Sequence, residues 1–149
     1  MVQAGHSFSE ARAIARSSIM IRAASISTAA LFLVLMVPSA WAGDSRQQTA
    51  TAAAHAGMAA ASADEKMVRG HLQHVVNCLV GPAGEGYDSA QANPCKDQGF
   101  GAIQDAPMDK VPALQAALKM AKDGAAEPDA AKAREKAAAT QAALSKLAM

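Results

Sequence analysis

Between Ser62 and Pro82 the chain carries a full set of helix signals, and the rest of the molecule must be arranged around that one element. Ser62-Ala-Asp-Glu65 has the S-x-x-E form of a capping box, which satisfies backbone N–H groups at a helix start. Asp64 and Glu65 place negative charge where the helix dipole is positive. Gly81-Pro82 is a stop: glycine accepts a left-handed backbone and proline cannot continue a helix. Val68, Leu72, Val75 and Leu79 recur at i, i+4, i+7 and i+11, a single apolar stripe. The spacing predicts a helix over 62–80.

A second line runs beside that stripe. Met67, His71, His74 and Cys78 are offset from it by one residue, about 100° round the axis, so they flank the core seam. Imidazole suits copper, zinc and nickel, and thioether or thiolate sulfur suits Cu(I). This makes His71 and His74 the candidate metal ligands, with Met67 as an auxiliary one. A third ligand would come from His55, or from Glu85, Asp88 or Asp97 further on. The same residues also fit a half-buried helix flank, with the histidines bonded to loop carbonyls and the methionine packed. Both readings stay open at this point. The spacings of a zinc finger, of H-E-x-x-H and of C-x-x-C-H are all absent.

The N-terminal region reads as a leader. Ile26 to Val37 is an apolar run too short to span a bilayer comfortably. It follows Arg12, Arg16 and Arg22 and leads into Ala40-Trp-Ala42, an A-x-A cleavage signature. Residues 1–42 are therefore expected to be a secretory signal peptide, with Gly43 first in the mature chain and no membrane span left after cleavage. The positive region is long, and a start at Met20 would give a leader of ordinary length. The expected compartment is periplasmic or secreted. There Cys78 and Cys95 are expected to form a disulfide across 16 intervening residues, worth about 3 kcal/mol by loop entropy.

From Gly43 onward the chain has 12 acidic residues against 11 Lys and Arg, a formal charge of −1. A nucleic-acid binder needs a basic stripe, so none is expected here. Tyr87 and Phe100 are the only aromatics in this stretch, which leaves no stacking platform for bases. Much of the apolar fraction is alanine, so the expected core is thin and a staple would help it.

Residues 43–61 are rich in Ala, Thr and Gln, with Met58 the one large apolar anchor. They read as a frayed helix or a disordered lead-in. Residues 81–106 hold five glycines and Asn93-Pro94, and read as a long loop with Tyr87, Phe100 and Ile103 as apolar plugs. Pro107–Lys122 reads as a helix stopped by Asp123-Gly124, its true start near Val111. It carries a stripe of Leu114, Ala117, Leu118 and Ala121. Pro128–Leu147 reads as another, with Ala137, Thr140, Leu144 and Leu147 inward. The short link between these two predicts a helical hairpin.

The expectation is an all-α domain over 62–149, a three-helix assembly with four helices as the second choice, and a disulfide-clamped glycine-rich loop after the first strong helix. The expected role is non-enzymatic metal binding through the Met67/His71/His74 stripe. The alternative is a structural or protein-interaction module with no ligand. A thiol enzyme using Cys78 would require the disulfide to be absent. No particular protein partner is implied.

Overall fold

The computed structural model describes residues 43–149; the leader expected over 1–42 lies outside them. The described chain is all-helical: α1 (Ser45–Ala61), α2 (Glu65–Val80), α3 (Val111–Ala125) and α4 (Ala130–Leu147). Each helix packs on its neighbour in sequence, α4 closes the ring against α1, and α2 and α4 also touch across the diagonal. This is a four-helix bundle. Among the described residues no helix is long and apolar enough to cross a membrane.

The stripe of α2 occupies the centre. Val68, Leu72, Val75 and Leu79 are fully buried. Around them lie Leu114, Ala117 and Ala121 of α3 and Ala133, Ala137 and Leu144 of α4. Leu118 and Leu147 pack at the margin, only partly buried.

The largest correction falls on residues 43–61. They form a complete helix of the core rather than a frayed or disordered lead-in. Asp44 caps it by accepting a hydrogen bond from Gln47 N at 2.9 Å. Ala52, Ala53, Ala56 and Ala59 are buried, while Met58, the expected anchor, is half-exposed. Small side chains let the helix backbones approach closely, so alanine burial does what one large residue would do elsewhere. Gly57 extends this: a Cβ there would press on the Gln141 side chain of α4.

Two boundary readings also change. Ser62 ends α1, with its Oγ donating to Met58 O at 2.8 Å. Asp64 caps α2 instead, accepting from Met67 N at 2.8 Å. Gly124 does not stop α3. It lies buried inside the helix, where an added Cβ would stand 3.1 Å from a Leu72 methyl, so its role is close approach to α2. The tight turn into α4 follows, capped by Asp129, whose carboxylate accepts from Ala131 N and Lys132 N.

Residues 81–110 contain neither helix nor strand, yet they are closely tied to the bundle. The disulfide Cys78–Cys95 forms, with a Cα–Cα distance of 5.1 Å. The last carbonyls of α2 have no partner within the helix. Ala102 N donates to Cys78 O and Ile103 N to Leu79 O, each at 3.0 Å, and so supplies two of them. Gly81 makes the reversal at φ 67, where a Cβ would collide with Phe100 O.

Two buried amides hold the rest. Asn77 Nδ2 donates to Asp88 O at 2.9 Å and Ala92 O at 3.1 Å, and its Oδ1 accepts from Asp88 N at 2.9 Å. Gln48 of α1 accepts from Gly101 N at 3.0 Å and donates to Asp105 Oδ2 at 2.7 Å.

Candidate metal centre

The α1–α2 turn is short, and it lays α1 directly against the histidine-bearing face of α2. His55 on α1 thereby meets His71 and His74 on α2. The three ring centroids lie 5.2–5.5 Å apart, with His74 nearly perpendicular to both neighbours. Each ring can offer one nitrogen such that all three nitrogens lie within 4.8 Å of one another.

His55 Nδ1 and His71 Nδ1 stand 3.3 Å apart, within hydrogen-bonding distance. Two nitrogens 2.0–2.1 Å from a tetrahedral zinc are about 3.3–3.4 Å apart, so this pair already stands at the edge length of a coordination tetrahedron. Rotation about the soft terminal torsion of an imidazole can bring in the third.

The third ring carries the most telling atom. His74 Nδ1 is buried with no hydrogen-bond partner. A buried polar nitrogen left unpaired costs about 1–3 kcal/mol. In the neutral tautomer that leaves this nitrogen unprotonated it is a free donor for a metal.

The electrostatics favour the ligating form. Burial, then the neighbouring His74 and His71, holds the His55 pKa below its ordinary value. Burial, then His71, does the same for His74. Neutral imidazole is the state that binds metal.

A groove of about 760 Å³ opens beside the cluster, lined among others by Met67, His71, His74, Gln73, Asp88 and Gln91. Met67 is 51% exposed at its wall, one turn from His71. Of the candidate third ligands, His55 is the one in the cluster; Asp88 lines the groove instead. Cys78 is committed to the disulfide, and no described cysteine is free. Gly70 has nothing closer to an added Cβ than Gln91 Oε1 at 3.9 Å, so it marks no close contact.

The structural anchors Asn77, Gln48 and Asp105 were not visible as such in the sequence. Asn77 had one usable signal, a short polar side chain set inside the apolar run Val75–Val80, beside Cys78. Gln48 and Asp105 had none, because the bond that joins them spans 57 residues of sequence. No protein-family model, curated protein or solved structure matches this chain. The fold and the site therefore define it only as a disulfide-bonded four-helix bundle with a three-imidazole cluster.

Proposed function

We propose that this is a small exported, non-enzymatic protein that binds a divalent or soft metal ion through His55, His71 and His74. The observation that carries the reading is the convergence of His55, His71 and His74, one nitrogen from each ring lying within 4.8 Å of the other two; the buried, unpaired Nδ1 of His74 adds to it. Three imidazoles, two of them (His71 and His74) lining a groove, suit Zn(II), Cu(II) or Ni(II). The thioether of Met67 at the groove wall is an auxiliary donor for Cu(I). The joined cysteines leave no thiol for nucleophilic chemistry. A disulfide in the described chain is compatible with a periplasmic or secreted location, as is the lack of a membrane-crossing helix among the described residues.

The test is titration of the disulfide-intact protein with Zn(II), Cu(II), Ni(II) and Cu(I), followed by calorimetry or metal-sensitive absorbance. One ion per chain is expected, and the signal should vanish in a His55→Ala/His71→Ala/His74→Ala variant. Binding no tighter than about 10 μM for every ion, a free energy of about −7 kcal/mol, would remove the proposal. The alternative, a ligand-free structural or interaction module, would then stand.

A further inference from the structure

We infer that removal of the leader frees the amino group of Gly43 to pair with the Asp105 carboxylate, tying the start of α1 to the loop before α3. This rests on the export reading above and is independent of the metal.

Gly43 is wedged in place. A Cβ built there would overlap Asp105 Oδ2 and the Cα of Gly99. Asp44 N donates to Gln98 O at 2.9 Å and fixes the segment against the loop. An α-nitrogen lies about 2.5 Å from its own Cβ position, so the Gly43 nitrogen is within about 4.5 Å of the Asp105 oxygen.

That carboxylate is held ready. Its Oδ2 accepts from Gln48 Nε2 and from Phe100 N, each at 2.7 Å. Both donors are neutral, and among the described residues Asp105 makes no ion pair. Lys96 is a cation on the adjoining groove, where Asp44 and Asp97 also lie, and it makes no bond to Asp105.

While residue 42 is attached, the Gly43 nitrogen is an amide with one proton. Hydrolysis of the Ala42–Gly43 peptide bond by water gives an Ala42 carboxylate and a Gly43 ammonium with three donors. Charge-assisted bonds to a fixed carboxylate are about twice as strong as neutral ones. Position 43 also has no room for a side chain, which would displace Asp105 or Gly99.

Residues 43–149 hold all four helices and the whole described core, so this chain can be tested by itself. It would be prepared starting at Gly43 and starting at Ala42, each with Asp105 and with Asp105→Asn. With Asp105 present, the retained Ala42 should lower the melting temperature by about 5 °C, the effect of one ion pair in a domain this size. With Asp105→Asn it should change nothing. In the folded Gly43 chain the α-amine should acylate about tenfold more slowly than in urea, as a one-unit rise in its pKa requires. If Asp105→Asn does not fold, the acylation rate decides alone.

Equal melting of the Gly43 and Ala42 chains, or equal acylation in folded and unfolded protein, would overturn the inference. Sequencing of the full chain after export from a bacterial host separates the two claims. A first residue other than Gly43 overturns the export reading and this inference with it. Gly43 first, with unchanged melting and acylation, overturns the inference alone.

Discussion

The two halves of α2 treat their polar groups in opposite ways. Toward its C-terminus Asn77 is buried and fully bonded, Cys78 is covalently joined to Cys95, and the carbonyls of Cys78 and Leu79 are capped by loop N–H groups. One and two turns earlier, His71 and His74 face His55 across the α1 interface, and His74 Nδ1 has no partner. The first half spends polar atoms on holding a loop. The second leaves one buried nitrogen, His74 Nδ1, uncommitted. A saturated buried network rigidifies, whereas an unsaturated one costs stability and persists where something else can fill it.

That contrast is open to attack, beginning at the saturated end. Replacing both cysteines by alanine should lower unfolding free energy by about 3 kcal/mol in urea titrations, from the regained entropy of the open loop. Asn77→Ala orphans Asp88 N–H and two loop carbonyls, and should cost about 2–3 kcal/mol by the same measurement.

His74→Leu is the counter-experiment. It removes an unpaired buried nitrogen, so stability should stay within about 1 kcal/mol or rise, while metal affinity falls by about tenfold or more. A loss as large as that of Asn77→Ala would mean that His74 is a structural group, and the contrast would fail.

Acid should act on the histidine half. His55 and His74 have pKa values below their ordinary 6.5 in the folded state, so the unfolded chain binds more protons below that pH. Stability is therefore fully present above about pH 6.5 and declines as pH falls through the depressed folded values. Urea midpoints measured at about pH 7.5 and about pH 5 should show the decline, and a His55→Leu/His74→Leu variant should flatten it. Bound metal should be released over the same range, because protons compete for the same nitrogens.

The smallest effect belongs to Met67. As a half-exposed residue, Met67→Leu should change stability by less than about 0.5 kcal/mol. It should weaken retention of Cu(I) while leaving Zn(II) unaffected, read by competition with a chromophoric chelator. Equal retention of Cu(I) would remove Met67 from the site.

The legible parts of this chain were those with a period or a local chemical rule. The stripe of Val68, Leu72, Val75 and Leu79 declares one face of one helix, and all four are buried. Cys78 and Cys95 were the only cysteines available to pair. Helix α1 escaped because alanine on every side gives no stripe. Only packing against α2 and α4 decides which of its alanines are inside. Ser62 and Gly124 misled for a related reason: each has a strong local preference, and the neighbouring helix overrode it.

The sequence by itself thus determined the helices with an apolar period, the disulfide partners and the candidate pair His71 and His74 on one helix face. Whether that pair had a third imidazole was decided by tertiary structure. His55 is sixteen residues from His71 and no local spacing rule connects them. The physical reason is that ligand convergence depends on how two helices pack, and here that packing runs through alanines whose pattern marks no face of its own.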